Sequence, residues 1–223
     1  MTKFGLVFLL VLSAGAIAGW ISAVSVYRTQ HVTPGVAGNE RLTASLGAVL
    51  FVLLVAVAIT ILYIQRLLLA HYIVGLLLIP PVALKLLSTG YRFARYYMDD
   101  RDYRLAGPPP FLLRFGVAPM LVVSTAAVFV TGLELWLVGL RFGSVWMTAH
   151  TVSAVVLEIA AGLHLFGHAR RSAVAAVEDL AAPLAPEGSK RRSIVVGTLI
   201  LGAALALAAL LYPSPFPATA AGG

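Results

Sequence analysis

Six apolar stretches, at residues 4–26, 43–64, 68–88, 117–138, 145–168 and 193–212, are each long enough to cross roughly 30 Å of bilayer hydrocarbon as a helix. They leave almost no chain from which a water-soluble domain could be built. With 60% hydrophobic and only 11% charged residues over 223 positions, the composition belongs to an integral membrane protein. The expected fold is all-α with six transmembrane helices. Residues 1–42 would form an N-terminal helix and loop, 43–168 a four-helix core, and 169–223 a linker, a sixth helix and a short tail.

The first stretch follows Lys3 and contains the small residues Ala14, Gly15 and Ala16, as a secretion signal would. Its apolar run exceeds the roughly 7–15 residues of a signal core, so a retained peripheral helix is expected. The chain has no cysteine, which excludes disulfides, thiol catalysis and thiolate-bound iron–sulfur clusters. A net charge of +7 would suit nucleic acid only if the basic residues formed a domain of their own, and here they flank the spans. Six spans put Lys3, Arg66 and Arg141 on one side. Arg28, Arg41, the arginines from Arg92 to Arg114, Arg170, Arg171, Lys190, Arg191 and Arg192 fall on the other, which is therefore expected to be cytoplasmic. The expectation is a multi-pass protein of the cell membrane with basic loops inside and both termini outside.

His150 and His164 stand fourteen residues apart in the fifth stretch, and His71 and Lys85 repeat that interval in the third. Fourteen residues rise roughly 21 Å and turn back nearly to the same helix face. The third and fifth stretches run in the same direction, so His71 and His150 share one level near the outer end, and Lys85 and His164 share another below it. Ionisable groups inside a membrane are costly and usually face a bundle interior. Two facing imidazoles at one depth are a ligand pair for haem iron. Gly75 and Ala154, one turn below the two histidines, leave room for a flat ring. Taken singly, His71 also reads as an interfacial histidine and His150 as a polar cap at its helix start.

The lower level is more open. His164 reads either as a second haem ligand or as a histidine near the inner rim, and His168 is an alternative to it. Lys85 reads first as a snorkelling lysine, with iron ligation or pairing with a propionate as its other roles. Glu158 falls about 12 Å below His150, near mid-bilayer, where it serves a proton path or hydrogen-bonds a neighbouring helix. Glu134 lies near the outer end of its helix, closer to water, and His31 is a loop histidine. Pro80 and Pro81 should kink the third helix. The loop from Ser88 to Phe115 interleaves arginines with tyrosines, an interfacial composition. Arg92 and Arg95 there are candidates for lipid phosphates or haem propionates, and Asp99, Asp100 and Asp102 read as a solvated turn.

The segments LLLAHYIVGLLLIPPVALKLLSTGYR and HTVSAVVLEIAAGLHLFGH resemble the bacterial b-type membrane cytochromes, the group that includes hydrogenase and formate dehydrogenase cytochrome b subunits. The resemblance covers residues 43–168. It implies a four-helix bundle binding haem b and passing electrons between membrane quinone and an external redox enzyme or carrier protein. The chain departs from the two-haem pattern at Lys85, where a second histidine would stand. The expected site therefore comprises His71 and His150 on the iron of one haem, His164 and Lys85 at a second haem or quinone level, and Gly75, Arg92 and Arg95 around the cofactor. The expected role is that of an electron-transfer subunit of an oxidoreductase. The alternative is a haem-free transporter or structural subunit using Glu158, Lys85 and His164 as buried polar groups.

Overall fold

The computed structural model describes residues 10, 34–105, 111, 113–181 and 186–216, side chains excepted at 113 and 166–187. The regular structure among the described residues is helical throughout: α1 (Pro34–Leu62), α2 (Ile64–Tyr97), a short α3 (Arg101–Leu105), a π turn (Leu113–Val117) leading into α4 (Ala118–Val138), α5 (Val145–Ala181) and α6 (Pro186–Leu211). Five of these helices are long and apolar enough to cross a membrane, and they coincide with the second to sixth apolar stretches. Apart from Leu10, the expected first helix lies outside the described residues, as do Arg28 and His31. Large apolar side chains such as Val52, Leu69, Val130, Ile159, Ile200 and Leu207 stay exposed, the surface that hydrocarbon covers.

α1 and α2 form a hairpin with almost no loop. Tyr63 leaves the helical region (φ −126°, ψ 38°), its carbonyl accepts the N–H groups of Arg66 and Leu67 at 2.9 Å, and Leu67 (φ −112°, ψ 19°) is the last non-helical residue before the second helix runs on. At the opposite end both helices outrun their apolar stretches. Residues 34–42, expected as loop, open α1 with Pro34 in the first turn, where its missing N–H costs nothing. There Ser88 Oγ donates to Asn39 Oδ1 and meets Thr43 Oγ1, both at 2.6 Å.

The expected kink at Pro80 and Pro81 is replaced by helical backbone through both residues, which are buried. Neither proline can donate to the carbonyl four residues earlier, Leu76 or Leu77. α6 packs over this place. A Cβ at Gly202 would lie 2.5 Å from the Leu77 carbonyl oxygen, so only glycine lets the two backbones approach so closely.

α1 packs on α2 and α5, α5 packs on α4, and α2 meets α4 only sparsely. These four helices surround a cavity, while α6 lies outside it against α2. The stretch expected as one loop after Ser88 is largely helical. α2 continues to Tyr97, Asp99 turns the chain with a positive φ of 67°, and Asp100 Oδ1 caps α3 by accepting the N–H groups of Asp102 (3.0 Å) and Tyr103 (3.2 Å). Arg95 pairs with Asp100 and Arg104 with Asp99, while Arg114 lies over the rings of Tyr96 and Tyr97. Such cation and aromatic mixtures suit a headgroup layer.

Gly202→Val forces a side chain into the Leu77 carbonyl. We expect a loss of about 1–3 kcal/mol, the usual cost of overpacking, seen as a lower midpoint in thermal unfolding of the detergent-solubilised protein.

Candidate functional site

The cavity between α1, α2, α4 and α5 has a volume of about 310 Å³, within the size range of small-molecule sites. Its walls are mostly aliphatic and aromatic. The polar exceptions are few, and they include the residues singled out by spacing: His71 and Lys85 from α2, and His150, Glu158 and His164 from α5. Equal intervals on two helices running the same way do bring the two levels into one cavity.

At one end His71 and His150 face each other, ring centroids 6.3 Å apart and planes perpendicular at 90°. Each ring is held by a threonine on the preceding helix. Thr60 Oγ1 of α1 lies 3.0 Å from His71 Nδ1, and Thr131 Oγ1 of α4 lies 3.0 Å from His150 Nδ1. Both hydroxyls already donate to a carbonyl of their own helix, Thr60 to Val57 and Thr131 to Ala127, each at 2.6 Å. A hydroxyl has one proton to give, so each oxygen accepts from the imidazole. Nδ1 therefore carries the ring proton, and Nε2 of each histidine keeps a lone pair.

Small residues make the room. A Cβ at Gly132 would lie 2.9 Å from His150 Cε1, so the imidazole rests directly on the α4 backbone. A Cβ at Gly75 would meet nothing within 4 Å, so α2 is bare towards open space there. Ala154 also lines the cavity.

The other end is built differently. Lys85 Nζ donates to the Thr43 carbonyl of α1 at 2.6 Å, and Gly47 makes way for it, since a Cβ there would lie 2.9 Å from the amine. The lysine thus binds a neighbouring helix where a snorkelling lysine would reach for headgroups. Glu158 is half-buried on the cavity wall between the two levels. Arg92 and Arg95 do not line the cavity, and Arg95 is engaged by Asp100, so the structure does not bring these two arginines to the candidate cofactor. Glu134, expected near water, instead has both carboxyl oxygens buried without a partner among the described residues. The backbone of α5 continues through His168.

Among the described residues no three histidine, cysteine or acidic side chains gather to hold a bare metal ion. Two imidazoles with free Nε2 lone pairs can instead serve a metal whose other ligands come with it. Thr60, Thr131 and Gly132 were not singled out by the sequence pattern. A threonine inside a helix most often bonds its own carbonyls and carries no periodic signal of its own.

Comparison with protein-family models, with characterised proteins and with solved structures returned no significant match.

Thr131→Val keeps the shape of the side chain but removes the hydroxyl beside His150 Nδ1, leaving the ring the Val128 carbonyl of α4 as its partner. The expected cost is about 0.5–1.5 kcal/mol in reversible unfolding, against a smaller effect for the same change at the exposed Thr151.

Proposed function

We propose that this chain is a membrane-embedded b-type cytochrome in which His71 and His150 bind one haem. The observation that carries the reading is the imidazole pair itself. A metal bonded to one nitrogen of each ring at about 2 Å sets the ring centroids roughly 6 Å apart, and the centroids here are 6.3 Å apart. The tautomers support it as well, because an iron ligand must offer a lone pair while its other nitrogen is held by a partner. Gly75 and Ala154 leave room for a planar macrocycle and Gly132 seats the His150 ring on α4, in a cavity otherwise walled by apolar side chains.

When bound, haem with two imidazoles supplies one-electron transfer and no open iron position for oxygen chemistry. The chain's own residues do the rest. His71 and His150 bind from opposite helices, Thr60 and Thr131 orient the rings, and the aliphatic walls exclude water. One haem fits better than two. Lys85 occupies the place opposite His164, and its amine is drawn to the Thr43 carbonyl and away from the cavity centre. The lower level, with Lys85, His164 and Glu158, is then the place for a quinone head, and electrons would pass between membrane quinone and an external redox enzyme or carrier protein. This is the role implied by resemblance to the bacterial cytochrome b subunits, in the cell membrane with the basic loops cytoplasmic and both termini outside.

A second reading has its own support. Lys85, Glu158 and His164 line one cavity, as a charge relay in a haem-free transporter would.

The deciding measurement is a dithionite-reduced minus oxidised spectrum of the protein purified from haem-replete cells, with haem quantified per polypeptide. The cytochrome reading expects b-type bands at one haem per chain. His71→Ala and His150→Ala should each abolish them, and Thr60→Val should weaken haem affinity by about 10–100-fold. Absence of bands even after haem reconstitution would exclude it. The transporter reading would then be tested by loss of proton-coupled flux in Glu158→Gln proteoliposomes.

A further inference from the structure

The chain does not leave the bundle at the end of α6. Tyr212 Oη donates to the Leu137 carbonyl at the end of α4 (3.0 Å), and its ring meets Trp136 edge to face with centroids 5.6 Å apart. Ser214 Oγ then donates to the Tyr72 hydroxyl of α2 (3.4 Å) and accepts the backbone N–H of Phe216 (3.2 Å). Phe216 itself is only 7% exposed and lines the same cavity as His71, Tyr72, Trp136, Met147 and His150.

Gly139, just past α4, makes this path available. Its φ of +64° is one that other residues rarely adopt, and a Cβ would stand 3.1 Å from the Pro215 carbonyl carbon and 3.2 Å from the Phe216 nitrogen. A floppy tail would not need a glycine with both properties beneath it. Contacts to α2 and to the end of α4 hold the segment down, and a large aromatic ring is delivered at the end of the cavity where the imidazoles lie.

We infer that residues 212–216 are a strap that seals the histidine end of the cavity, with Phe216 as a contact residue for the edge of the bound macrocycle. The inference rests on the haem reading above. Closing that end with a phenyl ring does two things. It obstructs the route by which the macrocycle would slip out between α2 and α4, which touch less than the other helices that lie side by side around the cavity. It also keeps water from the imidazoles, and the low polarity favours the less charged, reduced state of the iron.

The test uses the full chain in its haem-loaded form, with Phe216→Ala and Gly139→Val compared with wild type. Three quantities are read: haem per chain, the rate of haem transfer to excess apomyoglobin, and the midpoint potential. Both variants should retain the b-type spectrum, lose haem about 10-fold faster or more, and show a lower midpoint potential. Phe216→Leu, which keeps apolar bulk, should recover most of the retention. Transfer rates and potentials matching wild type in Phe216→Ala would overturn the strap while leaving the cytochrome reading intact. Wild-type protein without haem bands would overturn both. If Gly139→Val does not fold, Phe216→Ala decides alone, since it only shortens one side chain beyond the last helix.

Discussion

Within a bilayer, an apolar side chain gains little by exchanging lipid for a neighbouring helix, so spans pair through close packing and through polar groups that need a partner. The bundle is arranged around that need. Thr60 with His71, and Lys85 with Thr43, join α1 to α2 near both ends of their shared length. Thr131 with His150 joins α4 to α5. Gly202 seats α6 on the carbonyl that a proline leaves without its usual donor. The same few polar side chains that specify which helices meet also furnish the cavity, so the fold and the site share their determinants.

The helical class, the five described spans and the facing of His71 with His150 were legible from residue type and interval alone. Apolar runs of span length are hard to mistake, and a fourteen-residue interval returns to one face of a helix. Other features depend on neighbours that a linear pattern does not contain. Thr60 and Thr131 look like any helical threonine until the adjacent helix supplies an imidazole. Pro80 and Pro81 suggested a kink, but the helix stays continuous where α6 covers it. Lys85 suggested snorkelling, whereas the bare backbone at Gly47 lets its amine reach a carbonyl of α1. In the sequence the tail reads only as a tail, because five residues after the last span carry no periodicity.

The two levels of the cavity differ in what their side chains can still give. At the histidine level the hydrogen bonds consume Nδ1 and leave two lone pairs. At the lysine level the amine is already donating to a helix carbonyl. An asymmetric pair of levels on a symmetric spacing is easier to understand as two different jobs than as two copies of one. Glu158 stands on the cavity wall between the two histidine positions of α5.

The near absence of a loop between α1 and α2 bears on how the molecule is made. Thr60 and His71 are eleven residues apart, and Thr131 and His150 nineteen, so each imidazole is set by a partner within its own hairpin. Each hairpin can enter the membrane as a unit with its ring already oriented. The first is complete before the ribosome has made the second. What remains for later is the docking of two preformed halves, whose histidines then face each other from α2 and α5.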